Sequence, residues 1–186
     1  MKKTSFWLIV IVGLQIAWMA ATATVKEVEL RDGVTVLLET VPVDPRDFLS
    51  GDYVVLNYKI SSIPTYLVES NSAPLRDTQK LVNRPIYVAL RKNGEFYEVA
   101  HASLEPLTPR HSEIIIKGRI APNQWSQNAV RVNYGLEKYF VPEGTGNPGG
   151  KVTVKASVTE AGDALIKEVF IDGKPYANVM RSKPRR

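Results

Sequence analysis

Asp44, Asp47 and Asp52 fall within one nine-residue stretch, with Arg46 among them and Tyr53 and Tyr58 just downstream. Three carboxylates, a guanidinium and phenols at that spacing suit two kinds of chemistry. Paired acids can share general acid and base work on a glycosidic bond, or a charged floor can hold a ligand without turnover. Glu143, in a Pro-Glu-Gly turn ahead of the glycine-rich residues 144–150, is the best distant group to complete either arrangement. A plainer reading has Asp44, Arg46, Asp47 and Asp52 capping turns and pairing with one another, because structural ion pairs also gather carboxylates. The binding candidates are therefore Asp44, Arg46, Asp47, Asp52, Tyr53, Tyr58 and Glu143, and no residue is singled out as catalytic.

Other chemistries lack their residues. The chain has no cysteine, which excludes thiol catalysis, disulfides and cysteine-ligated metals. His101 and His111 have no partner at metal-ligand spacing, so they read as surface or interface histidines and no metal is expected. Neither a Gly-x-Ser-x-Gly elbow nor a phosphate-cradling Gly-x-x-x-x-Gly-Lys occurs, and no cofactor is implied. Trp125 and the eight tyrosines could stack on a sugar or a partner, although in strands such rings are more often core.

The elements that must position these groups are short strands. Alternating apolar residues bounded by turn residues recur at 34–41, 53–60, 85–91, 95–103, 113–120, 130–134, 137–141, 151–159, 164–171 and 174–176. Asn93-Gly94 marks a hairpin, and Gly162-Asp163 and Asp172-Gly173 mark turns. In the strand at 53–60, alternation places Asp52, Val54, Leu56 and Tyr58 on one face and Tyr53, Val55 and Asn57 on the other. Both faces are largely apolar, so a central strand is expected. Residues 61–84 read as a long excursion with one helical turn near 76–82. The fold class is mostly β, a sandwich or partly closed barrel of about seven to nine short strands following one N-terminal transmembrane helix.

That helix is expected because residues 4–25 carry no charge. At about 1.5 Å per residue they reach roughly 33 Å, enough for a bilayer core. Lys2 and Lys3 precede the run and place the amino terminus in the cytoplasm. Trp7 and Trp18 suit interfacial anchoring of a retained helix, while Ala21 and Ala23 fit a cleavable signal peptide. The expected divisions are an anchor at 1–25, an extracytoplasmic β domain at 26–180 and a disordered basic tail at 181–186.

The net charge of +5 does not indicate a nucleic-acid binder. Of the 24 basic residues, six lie at the two ends (Lys2, Lys3, Arg181, Lys183, Arg185, Arg186), leaving 18 against 19 acidic ones in the body. A folded nucleic-acid surface carries its excess on the domain itself.

Residues 42–58 also fit Gly-Asp-Tyr-x-x-Leu-x-Tyr, at Gly51, Asp52, Tyr53, Leu56 and Tyr58, preceded by Val-Asp-Pro-Arg-Asp. With the anchor and its single Gln15, the hairpin at Asn93-Gly94, and Tyr139-Phe140-Val141-Pro142-Glu143-Gly144 downstream, the chain resembles the GDYXXLXY family of bacterial membrane-anchored proteins. The resemblance implies a single-pass bacterial inner-membrane protein with its C-terminal domain outside the cytoplasm, and it brings no reaction. The function expected is a membrane-anchored binding or assembly module, with an integral membrane protein as partner. The alternative is a cell-envelope hydrolase working through paired carboxylates.

Overall fold

The uncharged run forms a single helix, α1 (Lys2–Asp32), which continues past residue 25 as far as the first strand in a computed structural model of the chain. The structure describes residues 2–41, 53–69, 81–122, 128–141 and 150–181. Within α1, the span Phe6–Val28 is long and apolar enough to cross a membrane, and nothing in the fold covers it. Apolar residues lie on all sides of it, so no stripe is reserved for a protein core. Its hydroxyls are satisfied internally: Thr22 donates to the carbonyls of Trp18 and Met19, and Thr24 to that of Ala20. Such back-bonding leaves neither threonine hydroxyl to be hydrated.

Twelve described strands follow: β1 (Val34–Glu39), β2 (Tyr53–Val55), β3 (Ser62–Pro64), β4 (Val68–Glu69), β5 (Pro85–Asn93), β6 (Phe96–Ser103), β7 (Glu113–Ile120), β8 (Ala129–Asn133), β9 (Lys138–Phe140), β10 (Val152–Val158), β11 (Ala164–Ile171) and β12 (Lys174–Pro175). A short helix, α2 (Tyr176–Arg181), ends the described chain. The strands form a four-stranded sheet in the order β1-β10-β11-β12, a six-stranded sheet in the order β3-β8-β7-β5-β6-β4, and the pair β2-β9. All ladders are antiparallel except β4 with β6.

Period-two patterning explains why the two larger sheets pack as a sandwich. Val152, Val154, Ala156 and Val158 turn one face of β10 inward, beside Val36 and Leu38 of β1. Ile86, Val88 and Leu90 of β5, Ile116 of β7 and Val130 and Val132 of β8 meet them in one continuous core. At the rim, Lys59 bonds Glu98 of β6 at 3.0 Å and lies 3.6 Å from Glu39 of β1, tying the sheets together. No closed barrel forms among the described residues.

Several expectations need adjustment. The strand expected at 53–60 is regular only to Val55, because the chain tightens into a 3-10 turn at Lys59–Ser61. The segment is flanked on both sides, by β9 and by the end of β1, where Tyr58 bridges Thr40 and the Val41 N–H bonds the Asn57 carbonyl at 2.7 Å, but its regular ladder is limited to three residues with β9. The excursion at 61–84 contains β3 and β4, and residues 70–80 lie outside the described part. In the β5–β6 hairpin the two loop residues are Gly94 and Glu95, one position beyond Asn93-Gly94, because Asn93 still pairs with Phe96. Gly94 supplies the positive φ of 62°. The strand expected at 174–176 stops at Pro175. Arg181 belongs to α2, and the rest of the basic tail, 182–186, lies outside the described residues.

Candidate functional site

The motif strand splits its residues by face. Val54, Leu56 and Tyr58 are buried in the core, while Tyr53, Val55 and Asn57 are only half-buried on the opposite side. Opposite β2, β9 places Phe140 across from Tyr53, Tyr139 across from Val54 and Lys138 across from Val55. On the outer side, the Tyr53 and Phe140 rings meet edge to face with centroids 6.1 Å apart. Lys138 Nζ lies 4.9 Å from the centre of the Tyr53 ring. Phe140 is 75% exposed, which leaves an aromatic face beside a cation on the surface. An exposed cation–π contact is worth only about 0.5–1 kcal/mol, so it orients Lys138 and contributes little to stability.

The inner side is closed by tyrosines. Tyr139 packs edge to face on Tyr176 of α2, with centroids 5.6 Å apart. Tyr58 donates its hydroxyl to the Leu136 carbonyl at 2.8 Å, and Tyr134 donates to the Ile60 carbonyl at 2.8 Å. Burial, with the Glu137 carboxylate nearby, raises both phenols well above the ordinary tyrosine range, so both stay neutral donors. Glu137 accepts the backbone N–H groups of Tyr134 and Gly135, and Gly135 takes a φ of +81° there. Arg131 bonds the Asn57 side chain at 2.7 Å and fixes the outward face.

Of the seven binding candidates, Tyr53 lies on the exposed aromatic edge and Tyr58 in the core. Asp44, Arg46, Asp47, Asp52 and Glu143 lie outside the described residues, as does Trp125. Because Tyr53 faces Phe140, the chain enters β2 and leaves β9 at one end of the pair. Phe140 and Lys138, absent from the candidates, belong to this edge. Their sequence signal is the alternation Lys138-Tyr139-Phe140, which shows its partner only once the pairing is known.

A second polar cluster also escaped the sequence. His101, expected at a surface or interface, is buried on β6, whereas His111 is exposed. The Glu113 side chain, fully buried, bonds Arg91 Nη2 at 2.7 Å and accepts the Arg110 N–H at 3.2 Å. His101 Nδ1 lies 3.8 Å from the same carboxylate. Burial pushes the Glu113 carboxyl up, yet Arg91, the Arg110 N–H and His101 together hold it below the ordinary carboxylate range. With Ser103 Oγ accepting the Glu105 N–H at 3.0 Å, the cluster pins the β6–β7 loop. His101 is buried because the face it shares with Ser103 is the one that loop bonds to. Among the described residues, no three side chains of metal-ligating type come together.

A family model described as GDYXXLXY protein matches residues 15–169, from the middle of α1 to near the end of β11. No curated protein and no solved structure matches the chain.

Proposed function

We propose, on the premise that this chain belongs to the GDYXXLXY family, that it is a membrane-anchored binding or assembly module. In this reading α1 is a retained single-pass anchor in a bacterial cytoplasmic membrane, and the β domain lies on the extracytoplasmic side. The observation that carries it is the span Phe6–Val28, no part of which is buried against the domain. A soluble protein would leave that surface without a partner. Lys2 and Lys3 ahead of the span favour the inside-to-outside orientation.

The binding surface in this reading is the edge at Tyr53, Phe140 and Lys138, and the candidates Asp44, Arg46, Asp47, Asp52 and Glu143 are proposed from the sequence to contribute to it. The partner is an integral membrane protein, since tethering to one bilayer raises the effective concentration of such a partner without any new contact. The test is a photo-crosslinking residue at Phe140, compared with the same residue at exposed Glu95. Crosslinks to membrane-embedded protein from position 140 alone support the reading. Turnover of envelope glycans or peptides that disappears in both Asp52→Asn and Glu143→Gln would replace it with a hydrolase.

A further inference from the structure

At the foot of α1 the described residues enclose a cleft of about 430 Å³. It opens between the β6–β7 loop, the start of β7 and the β10–β11 turn, and its other walls are Tyr87 of β5 and the junction of α1 with β1 at Asp32, Gly33 and Val34. Leu107, Pro109, Ile114 and Ile115 give it a non-polar lining. The charged residues of the lining are all acidic. Asp32 and Glu160 are exposed, and Glu113 is already held by Arg91 and the Arg110 N–H. Arg110, next to Pro109 on the loop, places its guanidinium 3.6 Å from Glu69 and is not part of the lining.

These features select an occupant. An anionic group would meet two carboxylates that form no ion pair among the described residues, and a purely apolar chain would desolvate them without compensation. The complement is a cationic head on an apolar stem, as a lysine or arginine provides when its methylenes lie on non-polar surface. Position narrows the choice further. Asp32 is four residues beyond Val28, the end of the apolar span, a helical rise of about 6 Å. If α1 crosses the bilayer as proposed above, the cleft faces the headgroup layer.

We infer that this cleft receives a juxtamembrane segment of a membrane-embedded protein, presenting a Lys or Arg whose stem lies on Leu107 and Ile115 and whose head reaches Asp32 and Glu160. The location rests on the anchor reading, whereas the chemistry of the cleft does not. A lipid is the poorer fit, because an aminophospholipid brings a phosphate along with its amine.

The experiment uses the full chain in phosphatidylcholine nanodiscs and a labelled peptide of alternating leucine and lysine, followed by fluorescence anisotropy against empty discs. Saturable binding is expected, weakened about tenfold or more by Asp32→Asn with Glu160→Gln, for two lost charge contacts. Ala161→Trp, which places a ring in the cleft, should weaken it as well, while the distant Glu95→Gln should not. Melting temperatures of the variants show that each is folded. Affinity unchanged in both cleft variants, equal binding of a leucine–glutamate peptide, or displacement of the peptide by added phosphatidylethanolamine each overturns the inference. Failure of the anchor reading looks different: the chain leaves membranes in a salt wash while peptide binding in detergent persists.

Discussion

Tyr58 and Tyr134 exchange hydrogen bonds, each donating its hydroxyl to the carbonyl two residues beyond the other, at Leu136 and Ile60. The last tyrosine of the motif thereby locks the 3-10 turn at Lys59–Ser61 to the turn that leads into β9. The motif strand and its partner are held together at the end away from Tyr53. Whatever Tyr53 and Phe140 do at the surface depends on this latch for its geometry.

Removing one hydroxyl tests the latch. Tyr58→Phe keeps the ring and leaves the Leu136 carbonyl buried without its donor, at a cost of about 1–3 kcal/mol. Tyr134→Phe should cost a similar amount. The two bonds brace the same pair of turns, so the double variant should lose less than the sum, by at least about 0.5 kcal/mol. Chemical denaturation of the four proteins measures this, and strict additivity would show the two bonds to be independent.

The Glu113 cluster predicts a pH dependence. A carboxyl held below its unfolded value stabilises the folded state above the unfolded pKa, and that contribution is lost as pH falls through the folded pKa. Glu113→Gln should therefore destabilise most near neutral pH, by about 1–2 kcal/mol, a figure kept small because the Arg91 side chain is 60% exposed. Melting curves of the two proteins should converge as pH drops below about 4.5. A difference that is constant from pH 7 to pH 3.5 would mean that the charge of Glu113 plays no part.

Much of this fold is written locally. Val152, Val154, Ala156 and Val158 alternate cleanly, and β10 lies where they predict. Asp172-Gly173 carries positive φ at both residues, as a two-residue turn between Ile171 and Lys174 requires. Less legible were features set by contacts distant in sequence. The pattern at 53–60 continues as a strand beyond Leu56, but the ladder with β9 ends at Val55, Tyr58 bridges Thr40, and the chain turns at Lys59–Ser61. Nothing local to β2 identifies β9 as its partner, some 85 residues away, so Tyr53 could be named as a binding candidate from its motif while its neighbour Phe140 could not. His101 read as a surface residue because its burial comes from a loop that follows it, pinned through Glu113.

Topology is the third expectation. A phosphatase fused after Arg186 should be active, and the protein should remain with the membrane fraction after a high-salt wash, because Phe6–Val28 offers about 35 Å of uncovered apolar helix. A soluble product beginning near Thr24 would show instead that the segment is removed.

The last expectation separates scaffold from surface within the motif. Leu56 is 1% exposed, so Leu56→Ala should open a cavity and cost about 2–5 kcal/mol. Phe140→Ala removes a ring already in solvent and should change stability by less than about 0.5 kcal/mol. Asp52→Asn bears directly on the proposed floor. A carboxylate kept there for a ligand is not optimised for folding, so neutralising it should leave stability equal or higher while partner crosslinking falls. A carboxylate that only caps the turn should lose about 1 kcal/mol and leave crosslinking intact. Melting curves set beside the Phe140-position crosslinking assay decide between these. If Asp52→Asn melts as early as Leu56→Ala, the aspartate belongs to the architecture and the binding surface reduces to Tyr53, Phe140 and Lys138.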